Sequence, residues 1–210
     1  MIISDSHKFV FHHVPKTGGS SITAALAPYC RNYDKPTDDT PYDMAIVPDD
    51  DVPRWQLAYH QPFWMHQPVN EYALGEIPEG YFSFAFIRNP FEIIVSAWHS
   101  EDRDKFPYFD EYVDHEIYTG IQLAARWTQF DYLTDDDGKL LVDYVGRFEK
   151  LAENFYEVVG RIGVPLMILP KRNVSKDKLH SSYKEYYSPV SRRLVEKKYE
   201  KDLEFFGYEF

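Results

Sequence analysis

Residues 9–29 read FVFHHVPKTGGSSITAALAPY, and no other stretch restricts the fold so closely. Phe9 to Val14 is a short, mostly apolar run of the kind that forms a buried strand. Ile22, Ala25, Leu26 and Tyr29 then recur at helical spacing. Between them lies a loop with adjacent glycines, Gly18 and Gly19. The order strand, tight loop, helix commits the chain to an α/β unit. It also sets a chemistry, because a glycine-rich turn entering a helix gathers unpaired N–H groups at the positive end of the helix dipole. Thr17, Ser20 and Ser21 add hydroxyl donors and Lys16 adds a full charge. The sum is a cradle for an anion. It is not the nucleotide-kinase pattern G-x-x-x-x-G-K-[ST], because the lysine precedes the glycines. Nor does an acidic strand end stand out as a magnesium ligand.

The rest of the chain extends the same plan. YFSFAFI (81–87) is the clearest strand, built of β-formers between Gly80 and Arg88-Asn89-Pro90. Phe91, Ile94, Val95 and Trp98 mark one face of the helix that follows, and Pro90 suits its first turn. Residues 101–130 read as mostly helical, TDDDGK (134–139) as a hairpin-like turn, and LLVDYVGRFE as a short strand running toward a helix. Leu151, Phe155, Val158 and Ile162 give that helix its apolar face, and VPLMIL (164–169) reads as a further buried strand. A last helix begins at Ser188-Pro189, an N-cap followed by proline, with Leu194, Val195, Tyr199, Leu203 and Phe206 on its apolar face.

Strands alternating with helices predict an α/β fold, a three-layer sandwich with a central, mainly parallel sheet flanked by helices. At 210 residues the chain is long enough for one such domain, spanning residues 1–210. Residues 31–80 are a loop-rich insertion, acidic and proline-rich at first and aromatic afterwards. Ligands of such sheets bind beyond the carboxyl ends of the strands. PKTGGSS and RNPFE both directly follow strands, so the two loops are expected to converge on one ligand.

Charge and cysteine content narrow the partners. A formal charge of −11 argues against general nucleic-acid binding, which needs a basic face, but a local cluster of donors still suits an anionic small molecule. Cys30 is the only cysteine, so no intramolecular disulfide is possible, which fits a reducing compartment. MIISDSHK does not read as a signal peptide and no stretch is apolar enough to span a membrane, so a cytoplasmic location is expected. On the same ground Asn173-Val174-Ser175 is read as a chance match to the glycosylation pattern.

HHVPKTGGSSI resembles the loop H-x-P-K-[TS]-[GA]-G-[TS]-[ST] of the sulfotransferases that use 3′-phosphoadenosine 5′-phosphosulfate (PAPS). FAFIRNPFEIIVSAW resembles their second motif, with Ser96 eight residues after Arg88. DYVGRFEKL, LPKRNVSKDK and YKEYYSPVSRRLVEKKYEKDLEFFGYEF are similar to the tail of the glycan-type branch, as found among bacterial single-domain members. The resemblance touches nearly the whole chain and implies a P-loop-like fold with PAPS as cofactor and its bisphosphate as product. Carried over residue by residue, it implies that Lys16, Thr17, Gly18, Gly19, Ser20 and Ser21 hold the 5′-phosphosulfate. It implies that Arg88 and Ser96 hold the 3′-phosphate. A guanidinium suits phosphate as a bidentate donor. Ser20 stands where the family often has threonine, and both supply a hydroxyl.

Sulfuryl transfer needs in-line geometry, stabilisation of the leaving oxygen and a base for the acceptor hydroxyl. Lys16 suits the leaving oxygen, no metal is required, and histidine is the natural base. His66 resembles the family's base; His60, six residues earlier, is the rival. Glu71 is read as solvated, His12 and His13 as structural, and His99 as lying at the helix surface or in solvent. Lys171, Arg172, Lys176 and Lys178 make a basic patch that either closes over the nucleotide or is ordinary solvated surface. Trp55, Tyr59, Phe63 and Trp64 are candidates to stack on sugar rings. The expected acceptor is a small-molecule or glycan hydroxyl. Two other readings stay open: an ATP-dependent small-molecule kinase, and an inactive nucleotide-binding module of the same fold.

Overall fold

The computed structural model describes residues 1–30, 69, 79–120, 127–170 and 182–210. Four strands form one sheet in the order β1 (Ile2–Ser4), β2 (Phe9–His12), β3 (Phe82–Ile87) and β4 (Tyr144–Arg147). β2 pairs with β3 in parallel, with Phe11 opposite Phe84, and β3 with β4 likewise, with Ile87 opposite Arg147. β1 runs antiparallel to β2, with Ile3 opposite Val10. The sheet is therefore mixed rather than mainly parallel. The cause is the connection. Only Asp5–Lys8 separate β1 from β2, and a parallel return needs a crossover of a dozen or more residues.

The expected strand over 164–169 is absent. Val164 is buried and Met167 and Leu169 lean on the core, but Leu166 and Ile168 are 77% and 88% exposed. Pro165 has no N–H to give to a ladder. The expected turn at 134–139 is present, closed by the bridge of Thr134 with Leu140 and by the Asp135 N–H donating to the Lys139 carbonyl at 3.0 Å.

Seven α-helices lie among the described residues: α1 (Gly19–Leu26), α2 (Pro90–Ala97), α3 (Phe109–Thr119), α4 (Gln129–Leu133), α5 (Leu151–Ile162), α6 (Pro189–Lys198) and α7 (Glu200–Phe206). A π-helical turn, Trp98–Asp102, extends α2. Residues 103–108 are not helical, so the stretch from 101 onward is less helical than its sequence suggests. The tail helix starts at Ser188 and Pro189 as expected but breaks at Tyr199 into α6 and α7.

The alternation of β3 assigns the layers. Phe84 and Phe86 point to one face, where they join Phe9, Phe11, Ile22, Leu26, Phe155 and Val159. Ala85 and Ile87 point to the other, against Tyr132, Leu133 and Phe206. Helices α1 and α5 thus cover one side of the sheet, and α4 and α7 the other. A third cluster packs α2, α3 and α6 around Trp98, Tyr112 and Tyr199. Phe9, Phe11, Phe84 and Phe86 are wholly buried, and each such side chain contributes about 1.5–3 kcal/mol.

Candidate functional site

β2 and β3 are adjacent and parallel, so their following loops emerge at the same sheet edge. The first loop is held by local geometry. Lys16 has φ of 61°, one of two non-glycine residues with positive φ among those described. Such a conformation costs an L-residue about 1–2 kcal/mol. Thr17 is fully buried and its Oγ1 donates to the Val14 carbonyl at 2.8 Å, which folds the loop back on its own strand. Gly18 is the N-cap of α1 with φ of 83°, and its carbonyl accepts from Ser21 N at 3.0 Å. A Cβ on Gly19 would lie 1.9 Å from the His13 ring. Glycine is required at both positions, at one for its backbone angle and at the other for close approach.

The second loop carries Arg88, whose side chain is 13% exposed. Its guanidinium stacks over the Phe148 ring at 4.0 Å. Nε and Nη2 donate to Glu92 Oε2 at 3.0 and 2.9 Å, and Nη1 donates to the Lys16 carbonyl at 3.3 Å. The last bond ties the two loops together. Phe148 also faces Gly18, where an added Cβ would meet its ring at 3.2 Å. One aromatic ring thus floors both the arginine and the glycine turn.

Lys16 Nζ donates to Ser100 Oγ, and Ser100 Oγ in turn donates to the Ser96 carbonyl at 2.9 Å. The structure therefore brings together Lys16, Arg88 and the turn from Ser96, in α2, to Ser100, in the π-helical extension. Ser20 and Ser21 lie in the first turn of α1, beside Gly19. The amide of Gly19, the first residue of that helix, has no intrahelical acceptor by geometry. Fixed cations, a helix N-terminus and an apolar floor suit a ligand with two anionic groups and a flat ring.

The backbone of the second loop is pinned from far along the chain. Arg88 N donates to Gln129 Oε1 at 2.7 Å and Asn89 N to Glu149 Oε1 at 2.7 Å. Asn89 Nδ2 reaches the Glu209 carbonyl at 2.9 Å, and Oδ1 of the same residue caps α2 by accepting from Phe91 N at 3.0 Å. None of Phe148, Glu92, Ser100, Gln129 or Glu149 stands out in the sequence. Only Glu92 carried a local signal, four residues after Arg88 on a helix.

The histidines divide by position. His12 is buried in the sheet, its pKa pushed down to about 3 by burial, and its Nε2 meets no hydrogen-bond partner among the described residues. The His13 ring stacks on Phe11 at 5.9 Å and closes over Gly19. His99 is half-buried, with Nε2 2.9 Å from the Tyr186 hydroxyl, rather than turned to solvent. His60, His66, Glu71, the aromatic segment from Trp55 to Trp64 and the basic patch from Lys171 to Lys178 lie outside the described residues.

A glycine turn capped onto a helix at the carboxyl edge of parallel strands, facing an arginine just past the end of the next strand, is the architecture of a P-loop-like α/β protein. The model described as Sulfotransferase family matches residues 1–209, and the chain belongs to that family. Membership brings sulfuryl transfer as the class of reaction. No curated protein and no solved structure matches the chain. No helix among the described residues is long and apolar enough to cross a membrane.

Proposed function

We propose that the chain transfers the sulfuryl group of PAPS to an acceptor hydroxyl, that of a sugar or glycoconjugate. The observation that carries this reading is the meeting of the two strand-end loops, with Arg88 Nη1 bonded to the Lys16 carbonyl. The donor set fits the cofactor. The helix N-terminus and Lys16 suit a phosphosulfate, and a buried guanidinium with a serine one face along suits a second phosphate.

When bound, PAPS supplies an activated sulfuryl group on its 5′-phosphate. The amides from Thr17 to Ser20 and the hydroxyls of Ser20 and Ser21 would hold that end. Thr17 contributes through its backbone, since its hydroxyl proton is given to Val14. Lys16 would be placed to neutralise the oxygen left behind on the leaving phosphate. Arg88 and Ser96 would hold the 3′-phosphate, with Phe148 stacked against the guanidinium so that its plane keeps one orientation. His66, or His60 in its place, would take the proton of the acceptor hydroxyl. Both histidines belong to the stretch over residues 31–80.

The test is transfer of radiolabelled sulfate from PAPS to a panel of simple sugars and glycoconjugates. The reading expects label on a hydroxyl acceptor, with loss in Lys16→Ala and in His66→Ala or His60→Ala. A folded protein that moves no sulfate but moves the γ-phosphate of ATP to a hydroxyl would overturn it in favour of a kinase.

A further inference from the structure

Asp202, in α7, is 0% exposed and lies far in sequence from either anion-binding loop. It accepts from Gln129 N at 3.0 Å and Phe130 N at 2.8 Å, the first two amides of α4. A carboxylate at a helix N-terminus is favoured by the dipole. It also accepts from Gln129 Nε2 at 3.0 Å. Burial raises the pKa of this carboxyl, and the hydrogen bonds from Phe130 and Gln129 oppose that rise. Oδ2 already accepts from Gln129 N, and the end of the Gln129 amide that faces it is the donating Nε2.

That orientation has a consequence at the site. With Nε2 turned toward Asp202 and the Arg88 carbonyl, which it meets at 2.8 Å, Oε1 is left to accept from Arg88 N at 2.7 Å. Both backbone groups of Arg88 are thus paired by one side chain, itself 2% exposed. The pairing replaces the ladder that ends with Ile87 opposite Arg147. Without it, two partly buried polar groups at the strand end would lose their partners and the backbone carrying the guanidinium would be free to turn.

We propose that Gln129 and Asp202 form a relay of positioning residues that fixes the backbone of Arg88 and aims its guanidinium at the 3′-phosphate of the cofactor. The inference rests on the cofactor reading given above. It assigns these two side chains no contact with the ligand. Their effect is therefore confined to the advantage of a nucleotide with a 3′-phosphate over one without it.

The experiment compares calorimetric affinities for 3′-phosphoadenosine 5′-phosphate and adenosine 5′-phosphate in the full chain. The ratio of the two isolates the 3′-phosphate. It is measured in wild type, Arg88→Ala, Gln129→Met, Asp202→Asn and the double variant Arg88→Ala with Gln129→Met, each well below its melting temperature. Asp202→Asn keeps size and shape, and carries the comparison if Gln129→Met does not fold. The relay predicts a fall in the ratio of about tenfold in Gln129→Met and in Asp202→Asn. It predicts no further fall when Gln129→Met is added to Arg88→Ala, as expected of residues that act through one another. A folded variant with an unchanged ratio, an equal loss for both nucleotides, or an additive double variant would overturn the relay alone. A wild type that shows no preference for the 3′-phosphate would overturn the cofactor reading and the relay with it.

Discussion

The two loops at the carboxyl edge of the sheet are built by opposite means. The loop from Val14 to Ser21 is held by its own residues: a positive φ at Lys16 and Gly18, the Thr17 hydroxyl on Val14, and the His13 ring over Gly19. The loop at Arg88 and Asn89 is held by Gln129 and Glu149, 41 and 60 residues away, and by the carbonyl of Glu209, 120 residues away. The first loop is a local motif. The second is a tertiary construction on which three distant elements must agree. A local motif tolerates change elsewhere, whereas a tertiary one is exposed to mutations in α4, at Glu149 and at the chain end.

The contrast can be broken or sharpened by substitution, beginning with the largest effect. Lys16→Ala should lower kcat for sulfuryl transfer by about 10²–10³-fold, the usual loss for one donor to a developing anion, with little change in melting temperature. A matching collapse of the fold would make Lys16 a structural residue. Gly19→Ala drives a methyl group into the His13 ring, 1.9 Å from its Cδ2, and should destabilise the fold by about 3 kcal/mol in urea titration. His13→Ala in the same chain should recover a large part of that loss if the constraint is local. No recovery would place the strain elsewhere.

The buried sheet histidine gives a pH test. The pKa of His12 is pushed down by burial to about 3, whereas the unfolded chain titrates near its ordinary value of 6.5. Below that value the unfolded state binds a proton that the folded state refuses. Stability is therefore complete above pH 6.5 and falls as pH drops toward 3, by up to about 1.4 kcal/mol per pH unit. His12→Leu should remove that component, read as a flatter dependence of melting temperature on pH. An equal slope in both proteins would contradict the burial. The smallest effect is expected at Glu149, whose carboxylate accepts from Asn89 N and from the Tyr208 hydroxyl at 3.0 Å but is solvent-exposed. Glu149→Ala should cost about 1 kcal/mol and weaken binding at Arg88 more than at the glycine loop.

The same division explains what could be read from the sequence. Strand β2, the glycine turn and α1 were legible because their signals are adjacent: an apolar run, paired glycines, then helical periodicity. Arg88 was legible as the end of a strong strand, whereas its pairing with Ser96 came only from the resemblance to the second motif of the family. The α6 start was legible from Ser188 and Pro189, whose capping chemistry is local. The antiparallel β1 was not, because Ile2–Ser4 is too short to show a period and only the neighbouring β2 makes it a strand. The segment 164–169 has a strand's composition, yet Leu166 and Ile168 face outward and no ladder forms among the described residues. Gln129 and Asp202 look like ordinary surface polar residues in sequence. Only the fold buries them and sets them behind Arg88.

The central claim is that the Lys16 loop and Arg88 form one site for a nucleotide bearing two anionic groups. The most direct test is calorimetric titration of wild type and Arg88→Ala with 3′-phosphoadenosine 5′-phosphate, beside ATP with magnesium. The account predicts tight binding of the bisphosphate by wild type, a loss of at least about tenfold in Arg88→Ala, and no comparable binding of ATP. A preference for ATP, or no binding of the bisphosphate by the folded protein, would contradict it.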